Sequence, residues 1–214
     1  MTADRVEAEL KYLAANEPTL RLLASAARLG PADLGRGRTV DEVDRYLDTA
    51  DLRLEAVHWA CRLRTRGGRT IVSLKGPAEH EAGDPLHRRA EVEGPAGPEL
   101  EPGEWPDSPA RDRLLVMTGG KPLVERFRLL QERTERPVSL DGEHVGLLSL
   151  DRARIVHDEI EVGRLAVVEL ELDPSALAAG LDHRPMADAL AAIPGLAADP
   201  SSKLERALAL LPRR

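Results

Sequence analysis

The sequence is short of aromatic residues, of cysteine and of long apolar runs, and each shortage excludes a class of protein. Its 214 residues include five aromatics and one cysteine, Cys61. A lone cysteine excludes an internal disulfide framework and is typical of a reducing compartment, so we expect a cytoplasmic protein. No apolar run approaches membrane-spanning length and the first residues do not resemble a signal peptide, so we expect no membrane association.

Lysine is also scarce, although the chain is rich in charge. Lysine and arginine together number 30 against 37 acidic residues, which gives a net charge of −7. This mild acidity argues against general nucleic-acid binding, which needs a basic surface. Only four of the basic residues are lysines, namely Lys11, Lys75, Lys121 and Lys203. Because arginine supplies nearly all the other positive charge, each lysine marks a position of interest.

What the sequence does contain is a series of segments that alternate apolar and polar residues, the pattern of half-buried β-strands. The first runs from Val6 to Tyr12, and the others cover 39–47, 59–65, 70–75, 88–93, 123–132, 138–140, 146–156 and 165–172. Helical spacing and helix-capping residues predict helices at 18–29, 108–117, 174–180, 185–193 and 201–211. We therefore expect an α+β, mainly antiparallel β protein, built on a closed or nearly closed eight-stranded barrel with helices packed outside.

A single domain over residues 1–214 is expected, because the chain shows no internal repeat and one composition throughout. The loop at 94–107, rich in proline and glycine, is the one candidate boundary. The strands on both sides of it nevertheless share an unusual property, since their polar faces carry almost only charge, sorted by sign. The like-charged sets are Glu7 with Glu9, Arg62 with Arg64 and Arg66, Arg126 with Arg128, and Glu169 with Glu171.

Such sets of like charge need an explanation. Side chains two residues apart on a strand face are separated by about 7 Å, and at an effective dielectric constant of 20 their repulsion costs roughly 2 kcal/mol. Two arrangements relieve it: the charges face solvent, or they line a hydrated tunnel whose apolar outer face is covered by the helices. A tunnel with walls of both signs suits a metal–polyphosphate ligand. Mg²⁺ and Mn²⁺ prefer carboxylate oxygens, whereas arginine and lysine bind phosphate.

The segment Glu7-x-Glu9-x-Lys11 resembles the ExExK signature of a known family, the CYTH superfamily, also called the triphosphate tunnel metalloenzymes. Further segments resemble that family's motifs in order and over nearly the whole chain, with Arg126 in place of a lysine. These segments are Tyr46-Leu47-Asp48-Thr49, Arg62-x-Arg64, Leu74-Lys75, Arg89-x-Glu91-x-Glu93, Arg126-x-Arg128, Asp151, Glu169-x-Glu171 and Ser202-Lys203. The sequence looks most similar to bacterial inorganic triphosphatases and to the CHAD-associated type.

The resemblance implies a role for each matching residue. Glu7, Glu9, Asp151, Glu169 and Glu171 would bind one or two Mg²⁺ or Mn²⁺ ions, and the last three would serve catalysis. The triphosphate would be held by Lys11, Arg62, Arg64, Lys75, Arg126, Arg128 and Lys203. Glu91 and Glu93 would face the same tunnel, with no role assigned to them.

By this resemblance we expect metal-dependent hydrolysis of a triphosphate, inorganic tripolyphosphate first, to pyrophosphate and phosphate. The few aromatic residues favour a substrate recognised by its phosphates alone, because a thiamine or adenine ring needs an apolar or aromatic pocket. Long-chain polyphosphate and nucleoside or thiamine triphosphates stay open as substrates. So do a non-catalytic polyphosphate-binding module, a thiamine triphosphatase and a class IV adenylate cyclase built on the same site, and the oligomeric state is open as well.

Overall fold

The computed structural model describes residues 5–79 and 84–211. Its strands are β1 (Arg5–Ala14), β2 (Arg28–Leu29), β3 (Ala32–Leu34), β4 (Arg38–Thr49), β5 (Ala60–Arg66), β6 (Arg69–Lys75), β7 (His87–Pro95), β8 (Leu123–Leu140), β9 (Glu143–His157), β10 (Ile160–Leu172) and β11 (Leu196–Ala198). Its helices are α1 (Glu17–Ser25), α2 (Arg53–Ala56), α3 (Pro109–Thr118), α4 (Pro174–Ala178), α5 (Arg184–Ala191) and α6 (Lys203–Leu208), with a 3-10 turn at Pro102–Glu104. Every described helix is too short or too polar to span a membrane.

Eight of the strands close into an antiparallel barrel. They follow the order β8-β4-β5-β6-β7-β1-β10-β9, and β9 returns to pair with β8. The short strands β2 and β3 extend the sheet beside β8, and β11 pairs with β1. The predicted α+β fold with an eight-stranded barrel is therefore confirmed.

The register of the barrel places the charged faces inside. Glu9 lies opposite Glu171 and Lys11 opposite Glu169, while on the other side Asp44 lies opposite Arg64. Residues directly opposite each other share one face of a sheet, so these charges meet in the interior. The alternate residues face outward, where α1 and α5 cover β1, β9 and β10, and α3 covers β5, β6 and β7. Of the two arrangements open to the sequence, the structure has the tunnel.

One stretch of the interior is apolar. Tyr46 and Phe127 stack with their ring centroids 4.7 Å apart, and Leu129 and Ile155 join them in one buried cluster. Helix α6 packs its Ala207 against this cluster. The contact fixes the start of α6, and thus Lys203, beside the charged part of the tunnel.

Two predicted elements differ from the structure. The helix expected over 18–29 ends at Ser25, because Arg136 donates to the carbonyl oxygens of Leu23 and Ala26 at 2.7 and 2.6 Å, and 28–34 then form the β2–β3 hairpin. The strands expected at 123–132 and 138–140 are one continuous strand, β8, which runs through Pro137. The proline suggested a break, but the strand tolerates it, and the carbonyl of Pro137 accepts a hydrogen bond from Gly35 at 2.8 Å.

Candidate functional site

The barrel encloses a cavity of about 780 Å³, within the range of small-molecule sites. All eight barrel strands and the start of α6 contribute to its lining, which includes ten acidic and eleven basic side chains. The two signs nearly balance, so the cavity presents separate regions of negative and positive charge and no strong net field.

Most residues predicted for the site meet in this cavity. Those that line it are Glu7, Glu9, Lys11, Arg62, Arg64, Lys75, Glu91, Glu93, Arg126, Glu169, Glu171 and Lys203. Asp151 is fully buried directly behind the lining, where Arg133 and Lys203 bind it. Arg128 lies outside the cavity.

The position of Arg128 has a clear structural cause. In the pairing of β4 with β8, Tyr46 lies opposite Phe127 but Leu47 lies opposite Glu125, so Arg126 is the extra residue of a β-bulge. After the bulge Phe127 faces inward, and Arg128 points outward to Glu125 and Glu159 at 2.6 and 2.8 Å. The expectation that Arg126 and Arg128 share one face is therefore wrong.

One side of the cavity, which we call the acid-rich wall, exposes carboxylates directly to the cavity. It is formed by Glu7 and Glu9 of β1, Glu91 of β7, and Glu169 and Glu171 of β10. Both oxygens of Glu7 accept hydrogen bonds from Lys75 at 2.7 Å, and Arg89 donates to it at 2.7 Å. Burial alone would raise the pKa of Glu7, but Lys75 and Arg89 hold this pKa well below its ordinary value.

Glu171 differs from the rest of the acid-rich wall. Burial, together with the negative charge of Glu7, raises its pKa above the ordinary value. Its one described ion pair is with Arg5, which is half exposed. The Glu171 carboxyl therefore has fewer close cationic partners among the described residues than Glu7 has.

The opposite side, which we call the arginine-rich wall, presents guanidinium groups. It is formed by Arg62, Arg64 and Arg66 of β5 and Arg133 of β8. Arg62 is buried and its Nε has no hydrogen-bond partner among the described residues, while its Nη1 lies 3.5 Å from Asp44. A buried N–H group without a partner is costly, so the described residues leave the Arg62 guanidinium incompletely satisfied.

Lys203 joins the two walls. Its Nζ donates to Asp151 and, at 2.7 Å, to Glu169, and Arg133 donates to the same two carboxylates. Burial would raise the pKa of Asp151 and Glu169, but these cations lower it. Both side chains are therefore held as carboxylates.

Sequence reasoning missed several residues of the site. Arg133 was overlooked because the strand was expected to end at 132, and Glu42 and Asp44 because their partners come from other strands. The signal was present: Glu42, Asp44, Tyr46 and Asp48 alternate on one face of β4, and Gln131, Arg133 and Glu135 alternate on β8.

Comparisons with known proteins agree with this architecture. The family model described as "CYTH domain" matches residues 5–185. YjbK of Bacillus subtilis (strain 168), described as a candidate triphosphatase, is 25% identical over 158 residues, which is 73% of this chain and 75% of YjbK.

Two solved structures share the fold. HpAC1 from Hippeastrum, an adenylyl cyclase candidate described as having a dominant triphosphatase activity, superposes with a TM-score of 0.67 at 22% identity, over 96% of this chain and 98% of HpAC1. An adenylate cyclase candidate of Bacillus halodurans gives a TM-score of 0.61 at 20% identity, over 94% of this chain and 97% of that protein. With the family model matching most of its length, the chain belongs to the CYTH domain family.

Proposed function

We propose that this protein hydrolyses a triphosphate, with inorganic tripolyphosphate as the first substrate, to pyrophosphate and phosphate. At the level of the family, triphosphatase activity is supported by the descriptions of YjbK and HpAC1. The observation that carries the proposal is the wall of four arginines, Arg62, Arg64, Arg66 and Arg133, which lines a cavity of about 780 Å³. Guanidinium groups are the preferred partners of phosphate oxygens, and their positive charge offsets the charge of the transferred phosphoryl group.

A divalent metal is part of the proposal, since CYTH triphosphatases generally depend on one. The described residues contain no group of three or more His, Cys, Asp or Glu side chains already arranged as a metal site. The acid-rich wall nevertheless fits a hard cation at Glu7, Glu9 and Glu171, because Glu9 lies directly opposite Glu171 and Glu7 follows on the same face of β1, so carboxylate oxygens are gathered at one place. Bound there, Mg²⁺ or Mn²⁺ would polarise phosphate oxygens and lower the pKa of a coordinated water.

The chain's own residues bind and orient the substrate. Arg62, Arg64 and Arg133 contact phosphate oxygens from one side of the cavity, and Lys75 and Lys11 contact them from the other. Asp151 and Glu169, which the family resemblance assigns to metal binding and catalysis, pair here with Lys203 and Arg133, and our proposal gives them the positioning of these two cations. In-line attack needs only such positioning and charge stabilisation, so no serine or cysteine nucleophile is required.

The experiment is phosphate release from tripolyphosphate, ATP and thiamine triphosphate, each with Mg²⁺, with Mn²⁺ and with a chelator. We expect metal-dependent release that is fastest with tripolyphosphate. Tight tripolyphosphate binding without release from any substrate would contradict the proposal and favour the non-catalytic binding module. Formation of cyclic AMP from ATP would favour the cyclase, and preference for thiamine triphosphate would favour the thiamine triphosphatase.

A further inference from the structure

Two carboxylates behind the arginine-rich wall have no part in the chemistry described so far. Glu42 and Asp44 of β4 are 2% and 0% exposed. Neither lines the cavity, so neither contacts a bound ligand or metal directly. Buried acids are costly unless they are paired, so the arrangement of their partners is informative.

Both carboxylates bind the arginines that face the cavity. Arg64 donates to Asp44 through Nε at 2.8 Å and through Nη2 at 2.7 Å, the fork geometry of a bidentate pair. Glu42 lies 3.3 Å from Arg64 and 3.3 Å from Arg66. The amide of Gln131 donates to Glu42 at 2.8 Å and to Asp44 at 3.2 Å, which ties the two carboxylates together.

Glu42, Asp44 and Gln131 form a second layer behind the arginines, and this layer lowers the cost of holding several guanidinium groups close together. Three guanidinium groups on β5 and a fourth on β8, with β4 between the two strands, repel one another. A long arginine side chain also loses rotamer freedom when it binds a ligand. A buried carboxylate beneath them relieves the repulsion. It also fixes each guanidinium before the ligand arrives, so that less freedom is lost on binding.

We propose that Glu42, Asp44 and Gln131 are positioning residues, which act on substrate affinity through Arg62, Arg64 and Arg66. This inference rests on the proposed triphosphate-binding function, and it identifies the residues that set the affinity of the cavity for the triphosphate. The layer acts on binding more than on the chemical step, because none of its three residues reaches the cavity.

The test compares Asp44→Asn with Asp41→Asn, a matched control on the exposed face of the same strand. We expect Asp44→Asn to raise KM for tripolyphosphate about tenfold or more while kcat changes less than threefold, and Asp41→Asn to leave both unchanged. Loss of kcat with an unchanged KM would overturn the proposal. If Asp44→Asn does not fold, Gln131→Met provides the same comparison, with an expected rise of about threefold in KM.

A double-mutant cycle shows whether Asp44 acts through Arg64. We expect Asp44→Asn combined with Arg64→Lys to raise KM no further than the larger of the two single changes. Effects that multiply would show independent roles and would overturn the proposal.

Calorimetry of metal-free tripolyphosphate binding separates this inference from the function on which it rests. If the unaltered chain binds but does not hydrolyse, the hydrolase proposal fails, and the same variants still test the positioning layer through Kd. If the unaltered chain neither binds tripolyphosphate without metal nor releases phosphate from it with Mg²⁺ or Mn²⁺, both proposals fail.

Discussion

Both walls of the cavity contain acidic and basic side chains, but a different kind faces the cavity in each wall. In the arginine-rich wall the carboxylates of Glu42 and Asp44 are buried behind and the guanidinium groups face the cavity. In the acid-rich wall Glu7 and Glu171 face the cavity themselves, and the cations reach across to them. The first wall presents positive charge to the cavity, and the second is the wall that we propose binds a divalent cation. The difference shows that the function of a charged side chain depends on the layer in which it lies.

The largest effect is expected from neutralising the acid-rich wall at Glu171. Glu171→Gln should lower turnover by about 10³-fold or more, because it removes a carboxylate proposed to hold the metal. Folding should stay near native, since the raised pKa means that the fold already disfavours the charged form. Turnover and circular dichroism measure the two effects, with Glu161→Gln at the exposed end of the same strand as control. Unchanged turnover would rule out the metal assignment.

The second-largest effect is expected on the free energy of unfolding, when Arg133 of the arginine-rich wall loses its contacts with two buried acids. Arg133→Gln removes a cation that binds both Asp151 and Glu169, and leaves Lys203 as their shared partner. Breaking a buried pair of this kind costs about 3 kcal/mol of unfolding free energy. Urea unfolding at neutral pH measures it, with the exposed Arg184→Gln as control. A loss no larger than that of the control would show that Arg133 does not stabilise the buried acids.

A smaller effect is expected for the residue that joins the walls. Lys203→Ala should raise KM for the triphosphate about tenfold, the equivalent of ~1.4 kcal/mol of binding energy. Its ammonium lies at the start of α6, which packs on the interior through Ala207. Steady-state kinetics measure the change, and Lys121→Ala on the surface is the matched control. An unaffected KM would mean that α6 does not contribute to substrate binding.

The smallest effect is a difference in the pH at which one carboxyl group of each wall, Asp44 and Glu171, gains its proton. Asp44 has a lowered pKa, so its stabilising charge is present above the pKa of the unfolded chain and is lost only as pH falls through the lower folded value. Glu171 has a raised pKa, so its contribution has the opposite sign and is lost as pH rises through the folded value. Carboxyl ¹³C shifts should therefore show Glu171 gaining its proton at higher pH than Asp44. The reverse order would contradict the comparison.

The sequence predicted the barrel because the alternation of charge and apolar side chains belongs to each strand separately. The resemblance to the CYTH family brought Glu7, Lys75 and Lys203 to one site. Strand alternation supports the first two, whereas Lys203 lies on α6 and was placed by the motif alone. What it did not predict depends on pairing between distant strands. The bulge that turns Arg128 outward arises where β8 meets β4, and the early end of α1 is set by Arg136 from β8. The alternation on β4 indicates which face Glu42 and Asp44 share, but their pairing with the arginines follows only from the pairing of β4 with β5.

The most direct measurement of the central claim is a crystal structure of the protein with Mn²⁺ and a non-hydrolysable tripolyphosphate analogue, using manganese anomalous scattering. We expect an anomalous peak against Glu7, Glu9 and Glu171, with phosphate oxygens against Arg62, Arg64 and Arg133. A peak away from the acid-rich wall, or an analogue bound outside the barrel, would contradict it.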